Sequence, residues 1–152
     1  MRKLFLLLSL FTVMILSCGT EGKQGGETSS NKEGKRKFKI GITQIVAQPA
    51  LDKAREGFKD ALKEAGIEAE YDEKNANGEV STANLIANTL VSSKPNLIYA
   101  IATPTAQAAA QSTNEIPIVF SAITDPKSAG ILKGNVTGVS DRVNIKQQLE
   151  LL

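Results

Sequence analysis

From Phe38 onward, short apolar runs alternate with stretches in which apolar residues recur at helical spacing. Phe38-Lys39-Ile40-Gly41-Ile42-Thr43 is such a run and predicts a buried strand. Leu51, Ala54, Phe58, Ala61, Leu62 and Ala65 then follow a helical period, with charged residues on the opposite face and Gly66 at the stop. Ile67, Ala69 and Tyr71 alternate with Glu68, Glu70 and Asp72, the pattern of a half-exposed strand near a sheet edge. Asn77-Gly78 predicts a turn, and Ser81 or Thr82 predicts the cap of a helix carrying Leu85, Ile86, Leu90 and Val91. Lys94-Pro95 ends that helix, because the residue before proline is pushed out of the helical region.

Leu97 to Ala102 is apolar at every position, which predicts a central parallel strand covered on both faces. Thr103-Pro104-Thr105 opens an Ala-rich helix through Gln111, with Thr103 expected at the cap and Pro104 at the first helical position. Pro117 to Ala122 and the shorter Val136 to Val139 predict two further strands. Strands alternating with helices across short connections imply an α/β fold: a doubly wound parallel sheet with helices on both faces. No internal repeat is visible.

The first 37 residues follow a different logic. Arg2 and Lys3 precede an apolar run, Leu4 to Leu16, that is shorter than the roughly 20 residues a membrane-spanning helix needs. Residues 1–17 therefore read as an export signal peptide. Ile15-Leu16-Ser17-Cys18 resembles a bacterial lipobox, in which the peptide is cut before a cysteine that then receives lipid. Cys18 is the sole cysteine, so it has no disulfide partner within the chain. Residues 19–37 contain no hydrophobic side chain and five glycines, so residues 18–37 are expected to form a lipid-anchor cysteine and flexible linker. Residues 38–141 would be the α/β lobe, held to a bacterial membrane on its extracytoplasmic or periplasmic side.

Composition narrows the chemistry. The 152 residues carry 18 Lys and Arg against 16 Asp and Glu, a net charge of +2, with no basic field suited to nucleic acid. Histidine is absent, which removes His-based triads, His-ligated zinc and the commonest general base. No phosphate-binding Gly-rich loop, Gly-Lys-Ser/Thr or Gly-x-Ser-x-Gly elbow occurs. An enzyme is disfavoured, and no cofactor or metal is expected.

Ligands of open α/β sheets bind at the carboxyl ends of the strands. There this chain places Thr43-Gln44, Thr103-Pro104-Thr105-Ala106, Ser121 with Thr124-Asp125, and Asp141. The Thr103–Ala106 turn aims a helix N-terminus at the crevice and suits a carboxylate. Asp125 or Asp141 suits a ligand ammonium. Each residue alone also has a plain structural reading as cap, turn or surface charge.

Five blocks in order carry a family resemblance. They are Lys39–Gln44, Ala50–Asp60, Ala100–Ala108, Ile116–Phe120 through Thr124-Asp125-Pro126, and Asn135–Asp141. They resemble ABC-transporter substrate-binding lipoproteins of the type I periplasmic-binding fold, whose members of this kind take aromatic amino acids, tryptophan above all. The resemblance implies Thr43, Gln44, Thr103, Thr105, Ala106, Ser121, Thr124, Asp125 and Asp141 as crevice residues, an ABC permease as partner, and binding without catalysis. Such proteins have two lobes and about twice this length. Asn144 to Leu152, with Ile145, Leu149 and Leu152 on one face, would make residues 142–152 the start of a crossover helix to a second lobe. The alternative is a surface lipoprotein that acts only as an interaction or vestigial module.

Overall fold

The computed structural model describes residues 37–142 and 148–150. The expected signal peptide, Cys18, most of the expected linker and most of the expected crossover helix lie outside these residues; Gln148 and Leu149 are helical and exposed. The elements run β1 (Phe38–Gln44), α1 (Pro49–Glu64), β2 (Ala69–Asn75), α2 (Val80–Ser92), β3 (Leu97–Ile101), α3 (Thr103–Ser112), β4 (Ile118–Ile123) and β5 (Val136–Ser140). All pairings are parallel and the sheet order is β2-β1-β3-β4-β5, as a doubly wound sheet requires.

β3 is central because its residues are apolar in both alternating sets. Leu97, Tyr99 and Ile101 face α1 together with Ile40 and Ile42, and Leu51, Phe58 and Leu62 of α1 pack on them. Ile98 and Ala100 face the other way, with Ile118 and Phe120, under Ala83, Ile86, Ala87 and Leu90 of α2 and Ala106, Ala108, Ala109 and Ala110 of α3. Leu90, Ile98, Ile101, Ile118 and Ile123 are fully buried, each contributing about 1.5–3 kcal/mol by leaving water. α2 and α3 make a closed layer, whereas α1 stands alone on its face and has no fully buried residue.

Two helix starts differ from the sequence expectation. α2 begins at Val80 with Glu79 as its cap, so Ser81 and Thr82 lie inside the first turn and neither caps it. α3 begins at Thr103 itself, and the cap position is Ala102, which supplies no side-chain acceptor. The cause is local: Ala102 turns at φ 82, ψ 160, so the strand passes into the helix through a residue that has no capping side chain. Thr105 Oγ1 instead donates to the carbonyls of Ile101 (2.7 Å) and Ala102 (2.9 Å) and so ties the turn together.

β4 reaches β5 through residues 124–135 without a helix, and a bulge between Phe120 and Ile123 puts Ala122 at φ 56. β5 lies very close to its neighbour. A Cβ on Gly138 would fall within van der Waals contact of the Phe120 carbonyl oxygen and ring, and the carbonyl cannot rotate away. Gly138→Ala should therefore cost about 1–3 kcal/mol in a urea titration. Gly134→Ala, which meets nothing within 4 Å, is the control expected to stay near neutral.

Candidate functional site

The path from β1 leads to α1 on one face of the sheet, and the path from β3 leads to α3 on the other. The chain therefore parts between the carboxyl ends of two adjacent strands, β1 and β3, and opens a crevice at this switch point. Register sets the residues around it. Gln44 pairs with Ile101, and Ile101 pairs with Ser121, so Gln44, the Ala102–Thr103 turn and Ser121 stand along one rim.

The α3 side of the crevice is built from the helix start. Ala106 N–H is the first to find a helical acceptor, the Ala102 carbonyl at 3.2 Å. Pro104 has no N–H, so Thr103 and Thr105 present the N–H groups that the helix leaves without an intrahelical acceptor. Thr105 and Ala106 are fully buried and Thr103 is partly buried. The Thr105 hydroxyl is spent on the turn, so only backbone donors and the helix dipole could act on an anion there.

Other sequence-predicted residues are placed at the rim but already engaged. Gln44 is buried, and its Nε2 donates to the Val46 carbonyl (2.7 Å) and to Asp52 Oδ1 (2.9 Å). Its Oε1 accepts from Arg55 Nη1 at 3.4 Å. Ser121 Oγ lies 2.6 Å from the Tyr99 hydroxyl, which also donates to the Ala54 carbonyl at 3.3 Å. Burial pushes the Tyr99 phenol up, only partly offset by this Ser121 contact, so it stays neutral. Thr124 is exposed, and its carbonyl accepts from Arg142 Nε at 3.1 Å.

Asp125 and Asp141 differ sharply. Asp125 accepts from Ser128 Oγ (2.7 Å) and from the N–H groups of Ser128 (3.2 Å) and Lys127 (3.1 Å), and Arg142 Nη2 lies 3.1 Å away. The Ser128 bonds, then Arg142, hold its carboxyl below the ordinary value. Asp141 is exposed, its N–H donates to the Ile123 carbonyl at 3.2 Å, and no ion pair joins it to another described residue. The ends of β4 and β5 stand one and two strand spacings from β3, about 5 and 10 Å. The two carboxylates therefore shape the potential on that side of the crevice, and Arg142 already offsets the charge of Asp125.

Thr43 is fully buried, and its Oγ1 has no hydrogen-bond partner among the described residues. Sequence reading missed Arg55. It contacts Asp52 (3.4 Å), Glu56 (3.0 Å) and Glu73 of β2 (3.3 Å) as well as Gln44, and so braces the β1–α1 turn from outside. The Asp52–Arg55 i,i+3 spacing was the available signal. Among the described residues, no group of three or more Asp, Glu, Cys or His could hold a metal ion.

Comparison with known proteins shows what the chain is similar to. A family model described as ABC transporter substrate binding protein matches residues 39–152. A tyrosine-binding protein of Clostridioides difficile (strain R20291) is 40% identical over 150 residues, 91% of this chain and 44% of that protein. The ligand-free, open structure of a substrate-binding protein with adhesive properties from Clostridium difficile aligns at 44% identity with TM-score 0.73. That alignment covers 76% of this chain and 42% of the other. An ABC domain in complex with L-Trp from Streptococcus pneumoniae aligns at 38% identity with TM-score 0.73, over 76% and 42% of the two chains. The chain thus spans less than half the length of these relatives.

Two outcomes check the electrostatics and packing. A lowered carboxyl contributes stability that is present above its unfolded-state value and is lost as pH falls through its folded one. Carbon-detected NMR should therefore place the Asp125 midpoint below the ~3.9 of a free aspartate, and an elevated midpoint would contradict the Ser128 and Arg142 contacts. Thr43→Val should raise stability by about 1 kcal/mol, since it removes a buried hydroxyl without a partner; a fall in melting temperature would show that the hydroxyl is satisfied.

Proposed function

The chain belongs to the ABC transporter substrate-binding protein family, and we propose that it forms one lobe of an extracytoplasmic lipoprotein that captures an amino acid for an ABC importer. The family is one of binding proteins rather than enzymes. Relatives described as tyrosine-binding and as complexed with L-Trp favour an aromatic amino acid. The observation that carries the reading is the α3 N-terminus at the β1/β3 switch point, where Thr103 and Thr105 carry N–H groups without an intrahelical acceptor.

In this reading the ligand carboxylate accepts from Thr103 and Thr105, with the methyl of Ala106 closing the turn behind them. Thr43, Gln44 and the Val46 turn form the β1 wall. Ser121, Thr124, Asp125 and Asp141 line the opposite side and favour the ammonium through their potential. Closure of a second lobe over the ligand then presents the complex to the permease, by the hinge motion that two-lobed binding proteins use. Residues 1–17 serve as signal peptide, Cys18 carries the lipid, and residues 19–37 tether the lobe of 38–141. Residues 142–152 lead toward the second lobe.

The experiment uses this chain and two probes that differ only in the carboxylate. L-Tyrosine should shift the Thr103, Thr105 and Ala106 amides in an NMR titration, with a dissociation constant in the millimolar range, because one lobe covers only part of a ligand that pockets normally bury by ~70–90%. Tyramine should leave those amides unmoved. Silent amides with both probes would overturn capture at this site and favour an interaction module instead. Labelled fatty acid should be taken up by the wild type in a bacterial host and not by Cys18→Ala; equal labelling would remove the anchor.

A further inference from the structure

Asp125 is held by the lobe itself before any ligand reaches it. Ser128 Oγ donates to its Oδ2 at 2.7 Å, and the N–H groups of Lys127 (3.1 Å) and Ser128 (3.2 Å) donate to Oδ1. These bonds fold residues 125–128 into a turn that fixes the carboxylate beyond the carboxyl end of β4. Arg142, two residues beyond β5, adds a fourth partner. Its Nη2 lies 3.1 Å from Oδ1, and its Nε donates to the Thr124 carbonyl at 3.1 Å.

Arg55 and Arg142 are tied down differently. Arg55 touches Asp52, Glu56 and Glu73 and also donates to buried Gln44, so its departure would take a donor from a buried oxygen. Arg142 touches one oxygen of one carboxylate, not the two-point grip that makes Arg–carboxylate pairs strong. If it swings away, Asp125 keeps its Ser128 and Lys127 bonds, and the carbonyl of exposed Thr124 takes water. The turn is the fixed part of this cluster, and the guanidinium is the exchangeable part.

Given the amino-acid capture proposed above, on which this assignment rests, we propose that Arg142 is a built-in competitor for the ligand ammonium: it holds Asp125 and gives way when an ammonium takes that carboxylate. An ionised carboxylate only accepts, so guanidinium and ammonium are rivals for the same charge. Asp125 stays ionised because the Ser128 bonds, first of all, hold its carboxyl below the ordinary value. Oδ1 already has three donors, whereas Oδ2 has one among the described residues and is where an ammonium enters. There it faces the guanidinium across the carboxylate, roughly 5 Å off, and a like charge at that distance in water weakens binding about fourfold.

Three probes that share a phenyl ring separate the charges: phenylalanine, phenethylamine, which lacks the carboxylate, and 3-phenylpropionate, which lacks the ammonium. NMR titrations of this chain follow the Asp125 carboxyl carbon and the Thr103, Thr105 and Ala106 amides. Arg142→Gln should tighten phenylalanine and phenethylamine by about fourfold, read at Asp125, and should not tighten 3-phenylpropionate. Arg142→Lys keeps the charge and should bind as weakly as the wild type. Lys127→Gln removes the same charge two residues from Asp125 but keeps the N–H bond, so each constant should change by less than about twofold. Unchanged phenethylamine binding in Arg142→Gln, or an equal gain in Lys127→Gln, would overturn the competitor and leave carboxylate capture standing, since the amides read that capture separately. Amides that phenylalanine leaves unmoved would remove the capture reading and the competitor with it.

Discussion

Tyr99 joins three elements with one side chain, and the crevice depends on where it holds them. Its ring stacks on Phe58 of α1 with centroids 4.1 Å apart and planes 15° from parallel. Its hydroxyl meets Ser121 of β4 and the Ala54 carbonyl of α1. α1 has no fully buried residue, so this stack, with Leu51 and Leu62 beside it, is what seats the helix on the sheet. Once α1 is seated, Asp52 and Arg55 reach Gln44 and fix the β1–α1 turn that forms one wall of the crevice. The site is thus positioned by an aromatic contact on the α1 face that no ligand needs to touch.

The opposite wall is made by strain rather than by side-chain capping. Ala102 lies at a positive φ that only glycine adopts freely, a cost of about 1–3 kcal/mol that the surrounding contacts must offset. Its N–H is held by the Ser121 carbonyl at 3.0 Å, and the Thr105 hydroxyl secures the carbonyls on either side of the turn. A conventional cap would place a side-chain oxygen over the first N–H groups of α3. With alanine at that position, those donors have no side-chain acceptor from the cap. The same turn therefore explains both the missing cap and the uncapped N–H groups on which the proposed carboxylate site rests.

Much of this fold can be read from apolar patterning. β1, β3 and β4 are runs too apolar for anything but a covered sheet, and the alternation in 67–72 places β2 at an edge because half its residues must meet water. Helix starts are less legible. Ser81, Thr82 and Thr103 have cap chemistry, but capping depends on the φ and ψ of the preceding turn, which composition does not report. The site shows the same division. Polar residues at strand ends are visible in sequence, whereas the partners of Gln44, Ser121 and Asp125 come from α1, β3 and the 127–142 segment, brought near only by folding. In sequence, Arg55 is indistinguishable from the rest of a charged helix face, because nothing local separates a charge that faces water from one that faces a buried glutamine.

The allocation of aromatic side chains limits what this lobe can select. Phe58 and Tyr99 are stacked on each other, Phe120 is buried under α2 and α3, and Tyr71 lies under the Lys59 ammonium at the β2 edge. Phe38 opens β1 at the end of the sheet opposite the crevice. No described aromatic ring is left to face a ligand's ring, while the proposed reading assigns the backbone donors at Thr103 and Thr105 to the carboxylate that every amino acid shares. In the proposed reading, this chain holds the common end of the ligand, and discrimination between one side chain and another resides in the part of the relatives' length that it does not span.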